Sequence, residues 1–165
     1  MRKRNDFYQL DIMLIFVLFG MMAGGYGVWW GWRRLGRMPD SVSELAYVFH
    51  QDVFGAWISM VCVLLMPALV DALPDNFGWL AIFVVIGGIL VAASSRYRSE
   101  FGEVHYAGGV LVVGGMAGAA TVLLTPTLLL PAFAIAVAAA RRWHGWCFLV
   151  ETSAYAACVA ATLLA

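Results

Sequence analysis

The sequence predicts an all-α fold, a single integral-membrane bundle of six transmembrane helices, and three observations predict it. Of 165 residues, 63% are hydrophobic and only 12% are charged, where a soluble domain carries about 25% charged residues. Mean hydropathy is +0.85. Long apolar runs recur along the chain, separated by short polar connectors. Formal net charge is zero, so bulk electrostatics point to no nucleic acid and no acidic partner; membrane lipids are the expected surroundings.

A bilayer core about 30 Å thick takes roughly 20 apolar residues per helix. The first span is read at 10–32. Arg2, Lys3 and Arg4 precede it, but the apolar run is longer than a leader's hydrophobic stretch of about 7–15 residues and no small-x-small cleavage site follows. It meets Trp29, Trp30 and Trp32, then Arg33 and Arg34, the pattern of an interfacial anchor. Gly20/Gly24 and Gly27/Gly31 are small-xxx-small pairs, which let a neighbouring helix approach closely. The same glycine-rich faces make homo-oligomerisation an expectation.

Connector one carries Arg37, then Met38-Pro39-Asp40-Ser41-Val42-Ser43-Glu44. Asp40 or Ser41 can cap a short helix, and Ser41-x-x-Glu44 has the form of a capping box. The second span, 53–70, ends at Asp71 before the breaker-rich turn Leu73-Pro74-Asp75-Asn76. The third is 77–93. Then comes the longest polar interruption, Ser94 to Tyr106, which divides the chain three spans against three; its Arg96, Arg98, Glu100 and Glu103 read as a solvated loop. The fourth span, 104–124, offers Gly114/Gly118 as another packing pair; Thr125-Pro126 turns the chain, with Thr as cap and Pro at the first helical position. The fifth, 127–143, is short and contains Pro131, and the sixth is 146–165. Cys62, Cys147 and Cys158 all fall in spans without metal or redox spacing and read as buried thiols.

Connectors one, three and five hold Arg33, Arg34, Arg37, Arg96, Arg98, Arg141 and Arg142; the other side holds Arg2, Lys3 and Arg4. The excess places the odd connectors in the cytoplasm, with the basic N-terminal tail counting the other way. The protein is read as residing in a bacterial inner membrane. Most remaining polar residues lie near the odd-connector face, so a site would open there.

Glu151 is the most informative residue: an ionisable group about one and a half turns into an apolar helix costs roughly 2.5–3.5 kcal/mol at midspan. It must face the bundle, either as a functional carboxyl or as a partner of Arg141, Arg142, His105, a Ser or a Tyr. His105 opens the fourth span, where a neutral imidazole can ligate a metal or move a proton. His50, His105 and His144, with Glu151, make up a set that can hold zinc, although no His-x-x-x-His pair is present. Ser41 and Ser43 are candidate assisting hydroxyls as well as cap residues. The function expected is a small binding, transport or assembly component; the alternative is a membrane-embedded lipid hydrolase, zinc-dependent, with His105 and Glu151 as ligands or acid/base and Ser41 or Ser43 assisting.

Met38-Pro39-Asp40-Ser41-Val42-Ser43, Leu65-Met66-Pro67-Ala68 with Asp71 to Asn76, Gly102-Glu103-Val104-His105-Tyr106 and the late Trp146 and Glu151 resemble a group of small bacterial multi-span membrane proteins of unknown function. Their pattern has a Pro-x-Ser-Ile-Ser segment after the first helix and a Gly-Lys-Val-His-Tyr segment before the fourth; this chain has Val42 and Glu103 where that pattern has Ile and Lys. The resemblance implies a six-helix fold and carries no known activity, so it transfers no catalytic roles. A fainter likeness is to alkaline-ceramidase-type membrane hydrolases, which gather Ser, His and Asp around intramembrane zinc on seven spans, with a paired His-x-x-x-His.

Overall fold

A computed structural model describes residues 2–94, 102–129, 131–133, 135–136 and 145–165. All the regular structure described is helical. We label the long helices α1 (Arg2–Leu35), α2 (Gln51–Ala72), α3 (Trp79–Ser94), α4 (Gly102–Leu124) and α5 (Trp146–Leu164). Among the described residues, five helices are long and apolar enough to cross a membrane, with spans at Leu14–Leu35, Gln51–Ala72, Asp75–Ser94, Gly102–Leu128 and Trp146–Leu164. The expected fifth span is helical at 131–133 and 135–136; Arg141, Arg142, Trp143 and His144 lie outside the described residues, as do Ser95, Arg96, Arg98 and Glu100.

The helices run as a circuit in which each packs on the next, α3 and α4 most extensively, and α5 returns to touch α1 and α2. Only 28% to 39% of each span window is buried, and what faces outward is apolar: Ile15, Phe19, Met22, Val63, Ile86 and Val110 are all exposed. The main core joins Val17, Leu65, Leu69, Val84, Met116 and Cys158 across all five helices. A second cluster, Leu45, Ala46, Phe54 and Val91, seals the connector-one end, and Ala120, Ala157 and Ala161 hold α4 against α5.

Glycine sets the tightest crossing. A Cβ on Gly108 of α4 would sit 2.9 Å from the Gly87 carbonyl oxygen, the Leu90 Cβ and the Val91 nitrogen of α3. A Cβ on Gly115, two turns on, would lie 2.9 Å from the Val84 side chain and 3.1 Å from the Leu80 carbonyl. The expected Gly114/Gly118 pair is therefore out of register: Gly118 meets Leu80, whereas Gly114 faces open space. On α1 all four expected glycines are occupied within the chain, Gly20 by Leu65, Gly24 by Tyr155, Gly27 by Trp57 and Gly31 by Leu45. Two side chains bind these helices further: the Tyr155 hydroxyl donates to the Gly20 carbonyl at 2.7 Å and the Trp57 Nε1–H to the Ala23 carbonyl at 2.8 Å.

α1 ends where Gly36 takes a left-handed φ of 70° and its N–H reaches the Trp32 carbonyl at 3.1 Å, a helix stop that only glycine adopts without cost. The chain then passes Pro39 into a 3-10 helix, Val42–Tyr47, and breaks at Val48–His50 before α2. At the other end, Thr125–Leu128 is a 3-10 turn with Leu124 in the cap position; the Thr125 hydroxyl donates back to the Thr121 carbonyl instead of capping.

Candidate functional site

Connector one does not lie free at the end of the bundle. Its 3-10 helix begins with backbone N–H groups that have no partner within the helix, as every helix does. Ser41 occupies the cap position but makes no side-chain cap bond; its hydroxyl instead meets the Ser43 hydroxyl at 2.8 Å. The cap comes from the far end of the chain: Glu151 Oε2 accepts the Val42 N–H at 2.5 Å. In return, the Asp40 carbonyl accepts the N–H of Phe148 in the first turn of α5 at 3.0 Å. Each helix start thus supplies an acceptor for the other, a capping box made between two segments 109 residues apart.

Close contact makes the exchange feasible. Pro39 is fully buried, and its carbonyl oxygen lies 3.0 Å from where a Cβ on Gly145 would stand, so glycine before α5 lets the connector reach the helix start. Glu44 steadies the connector from within: its carboxyl accepts the Asp40 N–H at 2.6 Å and takes the Arg37 guanidinium. Ser41-x-x-Glu44 therefore forms half a capping box, with the Glu reaching one residue further back than expected. Cys147, one turn before Glu151, directs its thiol at Glu151 Oε1 from 3.5 Å.

His105 stands elsewhere on the structure's hydrogen-bond map. It is 9% exposed on the first turn of α4, with Nδ1 3.1 Å from the hydroxyl of Ser94, the buried last residue of α3. Ser94 gives its own hydroxyl proton to the Leu90 carbonyl at 2.5 Å. A hydroxyl has one proton to give, so Ser94 receives from the imidazole and a proton sits on Nδ1. His50 occupies the residue before α2 and pairs with Asp52 at 3.5 Å, both well exposed.

The structure thus brings Ser41, Ser43, Glu44, Cys147 and Glu151 around one docked connector, and it places His105 against Ser94 and His50 against Asp52. His144 lies outside the described residues. Among the described residues no group of three or more His, Cys, Asp or Glu side chains is placed to hold a metal ion. Sequence reasoning singled out Glu151 and named side-chain partners for it; the main-chain groups that join connector one to α5, the Val42 N–H and the Asp40 carbonyl, left no signal in residue type. Gly145 and Pro39 were the visible traces. No protein-family model, curated protein or solved structure matches this chain.

Proposed function

We propose that the chain is a small integral membrane protein of a bacterial inner membrane, a binding, transport or assembly component, with connectors one, three and five cytoplasmic. Its polar site lies at that face. The observation that carries this reading over a hydrolytic one is the reciprocal cap: Glu151, the carboxyl a hydrolase would spend on substrate, docks connector one onto α5, while the Ser41 and Ser43 hydroxyls bond each other. The outward apolar faces of the five long helices support the membrane setting. Self-association, where it occurs, would use Gly25 of α1 or Gly109 and Gly114 of α4, which face open space, since Gly20, Gly24, Gly27 and Gly31 are filled by the chain's own side chains.

The test is to purify the protein in lipid nanodiscs and measure metal content and lipid composition for the wild type, His105→Ala and Glu151→Gln. The expected result is no lipid turnover and no metal that depends on either residue. Roughly one zinc per chain, lost in both variants together with release of fatty acid, would overturn the proposal in favour of a membrane-embedded hydrolase using His105 and Glu151.

A further inference from the structure

The last turn of α1 carries two arginines that the fold holds but does not neutralise. The Arg33 guanidinium carbon lies 5.5 Å from the Trp29 ring centre, and that of Arg34 lies 4.8 Å from Trp30. Trp29 is half exposed and Trp30 is held in place by its neighbours. Trp29 packs on Tyr26 at 5.8 Å between ring centres. Trp30 packs on Phe49 at 4.8 Å, and Phe49 stacks on Trp57, whose N–H is tied to the Ala23 carbonyl. Arg34 therefore ends an aromatic ladder that runs from connector one into α2. Both arginines are exposed, and neither forms an ion pair among the described residues, whereas Arg37 next to them is taken up by Glu44 and the Met38 carbonyl. The end of a helix favours basic residues through its dipole; that explains charge here, but not two guanidinium groups each set over an indole ring.

A guanidinium stacked on an aromatic face keeps its edge N–H donors available, and that planar fork matches phosphate oxygens. The two groups lie at the end of a membrane-length apolar helix, Leu14–Leu35, where Trp and Arg sit at headgroup depth. We propose that Arg33 and Arg34, held over the rings of Trp29 and Trp30, form a site for the phosphate of an anionic phospholipid headgroup. The site rests on the membrane reading above, because only there does the helix end meet headgroups.

The experiment first extracts membranes with alkaline carbonate, then measures by native mass spectrometry which lipids the detergent-purified protein retains from an equal mixture of phosphatidylglycerol and phosphatidylcholine. The wild type is expected to stay with the membrane and to favour phosphatidylglycerol by about 10- to 30-fold, since each basic group near an anionic surface contributes roughly fivefold. The Arg33→Gln/Arg34→Gln pair should lose that preference, and Arg37→Gln should keep it. Release of the wild type by carbonate would sink the membrane reading and this site with it. Retention in the membrane without headgroup preference, or an unchanged preference in the Gln pair, overturns the site alone. An Arg33→Lys/Arg34→Lys pair that keeps the full preference would also overturn it, by showing that diffuse charge suffices.

Discussion

Removing the carboxyl of Glu151 should release connector one without unfolding the bundle. In Glu151→Ala the part-buried Val42 N–H loses its acceptor at 2.5 Å, and an N–H left unsatisfied costs about 1–3 kcal/mol. The partial exposure of the site puts the value near the middle, about 2 kcal/mol. The core does not depend on this bond: Leu65, Leu69, Val84 and Cys158 pack elsewhere. The loss should therefore fall on docking, which the Asp40 carbonyl to Phe148 N–H bond at 3.0 Å must then hold without the return bond. About 2 kcal/mol corresponds to roughly 30-fold in the opening equilibrium. Amide hydrogen exchange by mass spectrometry should show peptides covering 40–47 exchanging about 30-fold faster, with α3 and the middle of α4 unchanged. Glu151→Gln keeps an acceptor oxygen and should show a smaller effect, within about tenfold. Unchanged exchange over 40–47 in Glu151→Ala would refute the reciprocal cap. Equal acceleration throughout the chain would refute the claim that the bond is local.

Other substitutions probe the packing. Gly108→Ala should destabilise the protein by about 1–3 kcal/mol through overpacking against α3 backbone, while Gly109→Ala, which meets nothing, should be neutral or gain up to about 1 kcal/mol; thermal melts in detergent check the order, and the reverse order would refute the α3–α4 crossing. Tyr155→Phe should cost about 1 kcal/mol for its lost bond to Gly20. It should also soften the penalty of Gly24→Ala, because Tyr155 Oη lies 2.7 Å from that added carbon; a double-mutant cycle reads the coupling. Ser41 and Ser43 bond each other, so the double change to Ala should be milder than either single change, as measured by exchange of the same connector peptides.

The long helices were legible because burying a backbone in an apolar setting forces runs of apolar residues, and the ends of the predicted second, third, fourth and sixth spans fall within two residues of the helices observed. Gly20, Gly24, Gly27 and Gly31 of α1 were legible because a residue without a side chain can mark a close neighbour. On α4 the four-residue spacing misled, since the crossing repeats after two turns, at Gly108 and Gly115. Glu151 announced itself through the cost of a carboxyl in an apolar helix. The Val42 N–H that it accepts did not, because a backbone N–H is the same at every non-proline residue. The three histidines looked alike in sequence, but the described ones have different neighbours, His105 on Ser94 and His50 on Asp52, and no periodicity encodes which helix end a loop histidine will meet.

The exchange between Asp40–Val42 and Phe148–Glu151 also has a consequence for how the protein is made. Ribosomes add about 5–20 residues per second, and Val42 and Glu151 are 109 residues apart, so the connector waits roughly 5–20 s for its acceptor. During that interval the first helices are already present, Pro39 has no Gly145 to lie against and the Val42 amide is bound to water. Emergence of the last helix is thus the event that closes the first loop. A chain that stalls before Glu151 displays an undocked Met38–Glu44 segment, a local mark by which an unfinished molecule differs from a finished one.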